Sequence, residues 1–407
     1  MNTENTNFKN SGIEWIGEIP KHWGVKKLKF IIENSISGEV IDKGYWNSGN
    51  EFLYTCQKEP MFSDFDKFPE NKRTRGNCLL LTRNATPYIF IPKDNAIFSN
   101  VVQKIILFKK YDKRYIKYSI QIGANSLLVN GDIIPSYNMQ VWNNIYFCDI
   151  PLDEQERIAE FLDKKCASID SSIENLEQKT KSLAEYKKAL ITQCVTKGLN
   201  PKILEFKDSG IPWIGQIPKH WEIIRLGYIC NKLNRKIDEN DEPLICSNKG
   251  QVAFRDKNAC GKMLSENHTM QGIQVGDIAI HGMDTWHGAI AYSNLKGKIT
   301  GVVHVCDSKE NNKFIVYFLQ YLAIQGVYKL ISNGVRGNTS DFRSWNSVKN
   351  IYIIVPPLNE QKEIAEFLDK KCEKIDNLSA NYKEQIKTLK EYKKALIYEC
   401  VTGKKQI

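Results

Sequence analysis

The sequence predicts an α+β fold in which two similar globular domains alternate with two long helices that pair with each other. Two observations predict it. Pro151 to Gly198 recurs as Pro357 to Lys404, with Gln155, Phe161, Cys166, Tyr186 and Cys194 each returning 206 residues later without a gap. FKNSGIEWIGEIPKHW (Phe8 to Trp23) recurs as FKDSGIPWIGQIPKHW (Phe206 to Trp221), 198 residues on. Self-similarity at this period marks a duplicated structural unit. The expected order is a globular domain over 1–150, a long helix over 151–199, a second globular domain over 200–356 and a second helix over 357–407.

Taken in order, the first block holds Gly76-Asn-Cys-Leu-Leu-Leu, a turn into a buried strand, then Val101-Val-Gln-Lys-Ile-Ile-Leu-Phe as a further strand. A short helix follows from Arg114. The central helix has apolar residues at steps of three and four: Leu162, Cys166, Ile169, Ile173, Leu176, then Leu183, Leu190 and Cys194. That spacing makes a narrow seam suited to a partner helix. Asp153 is the expected N-cap, with Glu156 completing a capping box. Gly198 can take the left-handed position that ends a helix, and Pro201 cannot extend one. In the second block Gly276-Asp-Ile-Ala-Ile and Val302-Val-His-Val repeat the strand pattern, and a helix begins at Lys313. The last helix repeats the seam through Leu368, Cys372, Ile375, Tyr382, Ile386, Leu389, Leu396 and Cys400, with Asn359 as its expected N-cap. Beyond this skeleton the two blocks diverge almost completely. One scaffold with different surfaces points to two related binding tasks with different targets.

Composition narrows the classes. A hydrophobic share of 42% and a charged share of 26% are those of a soluble globular protein. No apolar run approaches the ~20 residues that span a bilayer, and MNTENTNFKN has no apolar signal region. Eleven cysteines without a CxxC pair indicate a reducing cytoplasm and no disulfide framework. The net charge of +10 is unevenly placed: residues 1–150 carry +4 and residues 200–356 carry +5, so the blocks are the polyanion-facing parts.

Catalytic signatures are missing. The only Pro-Pro, in Val355-Pro-Pro-Leu358, lacks the flanks of the tetrapeptide with which adenine methyltransferases hold a flipped base. No GxxxxGK[ST] loop is encoded. His281, Asp284 and His287 lie close together, but beside Trp286 in a Gly-rich turn they read as a polar loop rather than a metal site. The charged Glu160, Lys164 and Lys165 recur as Glu366, Lys370 and Lys371. Such faces, shared by both helices, suit a partner present as two identical copies.

The ordered motifs GIPWIGQIPKHW, GNCLLLTRNATP (Gly76 to Pro87), GDIAIHGMDTWHG (Gly276 to Gly288), PLDEQERIAEFLD, PLNEQKEIAEFLD and VTKGLNP resemble those of type I restriction-modification specificity subunits over essentially the whole chain. The resemblance implies two target-recognition domains on an antiparallel helix pair, each reading half of a split site in double-stranded DNA. It also implies two copies of a DNA methyltransferase subunit and restriction/translocase subunits as partners. S-adenosylmethionine, ATP and Mg would then belong to those subunits, with no cofactor on this chain. The other reading is a coiled-coil adaptor with two protein-binding heads and no DNA role.

Arg and Lys match guanine edges or phosphates, and Asn matches adenine. In loops that differ between blocks, the candidates are Tyr45, Trp46, Lys72, Arg73, Arg75, Arg83 and Asn84. Those of the second block are Lys249, Arg255, His281, Asp284, Trp286, His287, Arg336, Asn338 and Arg343. Arg83-Asn84 and Met283-Asp284 occupy equivalent strand ends and rank first.

Overall fold

A computed structural model describes residues 7–84, 86–126, 137–203, 205–238, 240–255, 269–332 and 342–407. The chain forms two compact units, Met1–Leu176 with Glu384–Ile407, and Glu177–Lys383.

The first unit is built on a four-stranded antiparallel sheet. Its strands lie in the order Ile32–Ser37, Val102–Leu107, Cys78–Thr82 and Ile89–Phe90. Side chains alternate between faces along a strand. Leu79, Leu81 and Ile105 therefore enter a core with Tyr115, Ile116 and Ile120 of the helix Lys113–Ser126. Leu80 and Val102 enter the opposite cluster, with Leu53, Ile97 and Phe98. Burial on both faces explains why this strand reads as an unbroken apolar run rather than an alternation.

The second unit repeats the plan with Cys230–Lys232, Val303–Ser308, Ile278–His281 and Ile290–Tyr292, again all antiparallel. Ile278 and Ile280 face the core shared with the helix Asn312–Ile324, and Ala279 faces the other side. In each unit a two-stranded ribbon closes the block onto the helix that follows. It pairs Gly24–Lys27 with Tyr146–Asp149, and Glu222–Arg225 with Tyr352–Val355. The units differ in the layer beyond the sheet. The first has a three-stranded sheet of Met61–Ser63, Trp46–Tyr54 and Ile97–Phe98. The second has two separate pairs, Leu244–Ser247 with Gln251–Phe254 and Met270–Ile273 with Gly297–Thr300.

The long helices run Leu152–Lys197 and Leu358–Val401, 46 and 44 residues. They begin two residues earlier than N-caps at Asp153 and Asn359 allow. Gln155 N–H donates to Pro151 O at 3.0 Å and Gln361 N–H to Pro357 O at 3.1 Å, so Asp153 and Asn359 lie inside the first turn and Glu156 completes no capping box. The prolines hold these starts because a residue before the first helical position needs no N–H of its own. Gly198, at φ +75°, and Gly403, at φ +73°, end the helices. A Cβ on Gly403 would come within 2.5 Å of Pro20 Cδ, so glycine is required there for space as well as for conformation.

The recurring opening motif is explained by these helix starts. In the first unit Trp23 Nε1 donates to the Glu154 carboxylate at 3.0 Å, and Gln155 accepts from Asp112 N–H while donating to Ile150 O. In the second, Trp221 donates to Glu360 at 3.0 Å, and Gln361 accepts from Asn311 N–H while donating to Pro356 O. The pairs Trp/Glu and Gln/loop thus weld each block to its helix. Farther along, Tyr118 hydroxyl donates to Asp163 and Tyr317 hydroxyl to Asp369, both at 2.8 Å.

Each unit also contains the end of the other helix. The first unit's core takes Leu396, Cys400 and Val401 beside Leu162, Ile169 and Ile173. The second takes Ile191, Cys194 and Val195 beside Ile364, Leu368 and Cys372. The helix segments run antiparallel in both. Lys393 bonds Asp170 at 2.6 Å in the first unit, and Lys187 bonds Asp376 at 2.7 Å in the second. These are one contact made twice with the roles of the helices exchanged. The seam is not uniform: Leu176, Leu183, Leu190, Tyr382, Ile386 and Leu389 are only half-buried. Two helices cover one side of each other, and full burial comes only where a block covers another side.

Candidate nucleic-acid interface

In both units the third strand of the sheet order ends at a point held from two sides. Arg83 N–H donates to Val101 O, and Arg83 O accepts from Tyr137 N–H, both at 2.9 Å. Gly282 N–H donates to Val302 O at 3.0 Å, and Gly282 O accepts from Phe342 N–H at 2.9 Å. The backbone at these strand ends is fixed while the side chains differ. That is what a reading loop on a common frame requires.

In the first unit Trp142 adds a buried indole bond to Thr82 O at 2.9 Å, and the Thr82 hydroxyl donates to Thr86 O to tighten the turn. The Arg83 guanidinium, half-buried, reaches Asn100 O at 3.4 Å, and Asn84 is exposed beside it. In the second unit Gly282 leaves room for the close approach of another segment: a Cβ there would sit 3.0 Å from Arg343 Cα and from Phe342 O. Buried His304 bonds Phe342 O at 2.7 Å through Nε2, and its ring tilts against Trp345. Burial holds the His304 pKa below its ordinary value, so the ring is neutral with Nε2–H donating. His281 Nδ1 accepts from Asp284 N–H at 3.1 Å, which places the ring proton on Nε2. Burial lowers its pKa too, against the opposing pull of Asp284. The loop thus offers a neutral donor at His281 and an acceptor at Asp284, a carboxylate type that accepts from cytosine N4.

The other candidates are placed differently. Lys72 pairs with Glu39 at 2.5 Å. Arg73 is buried and ion-paired with Glu51 and Glu70, and Arg75 pairs with Glu70. Arg73 is a strut of the outer layer, because a buried guanidinium must be paired. Tyr45 packs edge-on against Phe65, and Lys43 lies over the Trp46 ring. Lys249, Trp286 and His287 line a cavity of about 440 Å³ whose far wall is Ala184, Lys187, Lys188 and Ile375 of the long helices. Trp286 stacks on His287 and carries Lys329 Nζ 4.3 Å from its ring centre. Arg255 follows the strand Gln251–Phe254, its N–H donating to Pro243 O. Arg343 adjoins Gly282, while Arg336 and Asn338 lie outside the described residues. The structure therefore gathers Arg83 with Asn84, and His281 with Asp284 and Arg343. Tyr137, Phe342 and His304, which position these loops, were not singled out from the sequence: no local pattern ties Tyr137 or Phe342 to a strand end, and His304 reads only as one residue of its strand.

Glu160, Lys164, Lys165, Glu366, Lys370 and Lys371 are all exposed on the helices. Glu160 pairs with Lys164 at 2.6 Å one turn on, and Lys165 and Lys371 lie over Phe161 and Phe367. Among the described residues no group of three or more His, Cys, Asp or Glu could hold a metal ion, and no helix is long and apolar enough to cross a membrane.

Replacing Arg83 or Asn84 by alanine is expected to relax the sequence read by the first unit alone, by ~1–3 kcal/mol for a lost base contact. Comparing affinities across base-substituted duplexes checks it. A uniform loss over all sequences would make Arg83 a phosphate contact instead.

Comparison with known proteins agrees with this arrangement. Residues 218–388 match the type I restriction modification DNA specificity domain. The specificity subunit of the type I restriction enzyme MjaVIII of Methanocaldococcus jannaschii is 24% identical over 96% of this chain and 91% of its own. That of MjaIX from the same organism is 23% identical over 99% and 97%. A chain in a solved structure of a type I R-M system shares the fold with a TM-score of 0.60 at 16% identity, over 94% of this chain and 98% of that one. The duplicated α+β frame, with strand ends fixed alike and side chains that differ, fits a protein that recognises two different sequences. Over nearly its whole length the chain is similar to type I restriction-modification specificity subunits. The adaptor reading has no support among these relatives.

Proposed function

We propose that the blocks over 1–150 and 200–356 are target-recognition domains, each reading one half of a bipartite site in double-stranded DNA. The long helices set the distance between the halves. Two copies of an adenine methyltransferase subunit dock on the scaffold, with restriction/translocase subunits joining them. S-adenosylmethionine, ATP and Mg belong to those partners. The observation that carries this is the pairing of one sheet frame with two unlike strand-end loops, Arg83-Asn84 against His281 to Asp284. Independent reading follows from it, since nothing in either loop is copied in the other.

Replacing residues 209–356 with the equivalent stretch of a relative is expected to change one half-site completely and leave the other as it was. Sequencing of methylated adenines, made by the hybrid together with its methyltransferase subunit, reads both halves at once. Simultaneous change in both halves would overturn independent reading.

A further inference from the structure

The buried positions that match between the two blocks have an evident cause, because the same sheet needs the same core. Exposed positions that match need another. Leu28 and Ile31, like Leu226 and Ile229, are buried and pin the short 3-10 turns Leu28–Phe30 and Leu226–Tyr228. Pinning these flanks thrusts the last residue of each turn outward: Phe30 is 62% exposed and Tyr228 is 75% exposed. These rings are equivalent, 198 residues apart, in blocks whose surfaces otherwise diverge. Lys29, between the pinned residues, has become Gly227, so the turn does not dictate its surface.

A cation stands three residues before each exposed ring, Lys27 before Phe30 and Arg225 before Tyr228, and each is held in the same way. Lys27 Nζ bonds Asn144 Oδ1 at 3.0 Å and lies 5.1 Å from the Tyr146 ring centre. Arg225 bonds Asn350 Oδ1 at 3.0 Å and lies 5.4 Å from the Tyr352 ring centre. Each cation is aimed by an amide and a ring, and among the described residues neither is ion-paired with a carboxylate. An exposed aromatic ring beside an oriented cation is the composition of a protein-binding hot spot. A ligand read by sequence would not meet the same residues in both units. A duplex backbone asks for clustered cations in both units, whereas Lys29, whose Nζ lies 4.9 Å from the Phe30 ring centre, has no counterpart at Gly227.

We infer that the Phe30 and Tyr228 patches are docking points for the two-copy methyltransferase partner, one copy on each unit, in addition to the helices. The fitting surface on that partner is an apolar side chain flanked by a carboxylate. This inference rests on the function proposed above. The test uses the full chain with the methyltransferase subunit of its own system, titrated and counted by native mass spectrometry. Phe30→Ala and Tyr228→Ala are each expected to weaken one of the two sites by roughly tenfold or more, and the double variant both. Phe62→Ala, at an exposed ring without a counterpart, serves as the control and should change nothing. Two copies bound by all variants with unchanged affinity would overturn the inference and leave the proposed function standing. Loss of non-specific duplex binding with methyltransferase binding intact would overturn it in favour of DNA. A wild-type chain that takes up no methyltransferase would overturn the proposed function, and this inference with it.

Discussion

Removing residues 384–407 from the C-terminus is expected to unfold the N-terminal unit while the second unit stays folded. The deleted piece supplies Leu396, Cys400 and Val401 to the first unit's core, and Ile386, Leu389 and Ile397 pack against it from the same segment. It supplies nothing to the second unit's core, whose helix residues are Ile191, Cys194, Val195, Ile364, Ala365, Leu368 and Cys372. Emptying one buried leucine position typically costs ~2–5 kcal/mol, and a domain's whole stability is ~5–15 kcal/mol. Losing three buried side chains together therefore exceeds what the first unit can sustain. Leu396→Ala alone is the milder version and should lower the first unit's stability by ~2–5 kcal/mol. Hydrogen exchange read by mass spectrometry separates the units. Protection should fall across residues 24–126 and persist across 270–331. Loss confined to the second unit would mean that the last helix belongs to the block preceding it, as chain order alone implies.

That exchange of helix ends was not legible in the sequence. The offset of 206 residues announced two matching helices, and the three-four spacing announced a seam. A seam position says only that a residue is covered, not by which block. Cys194 and Cys400 read alike, yet they enter different cores. The sheet was more legible. GNCLLLT and GDIAIH announced strands through apolar runs behind a glycine, and both became central strands buried on two faces. The helix starts lie two residues before the expected ones, because Asp153 and Asn359 are good caps by type while the proline carbonyl already closes the first turn.

The backbone setting of the candidate loops was legible in the sequence, and the pairing of their side chains was not. Strand ends alone nominated Arg83 and Asp284 as candidates. Lys72, Arg73 and Arg75 look like a basic patch in sequence, but Glu39 and Glu51 reach Lys72 and Arg73 from 33 and 22 residues away, and Glu70 of the same turn pairs with both arginines. No local pattern encodes the pairing with Glu39 and Glu51. The converse holds for Trp23 and Glu154. Their repetition in the second copy was visible, and only the bond between them explains it.

In the proposed function the helices hold two independent readers at a set spacing. Its most direct test lengthens both helices by four residues where the chain passes between units, after Leu176 and after Lys383. The helix ends are unsuitable for this, since Cys194 and Val195 are buried in a core. Four residues add ~6 Å and a net turn of ~40°. One base pair adds ~3.4 Å along the duplex and, at ~10.5 pairs per turn, ~34°. The expected result, read by sequencing methylated adenines, is unchanged half-sites with a spacer longer by one or two base pairs. Circular dichroism should show the added helix. An active, fully helical variant that keeps the original spacer would contradict the account, and would place control of the spacing in the methyltransferase subunits.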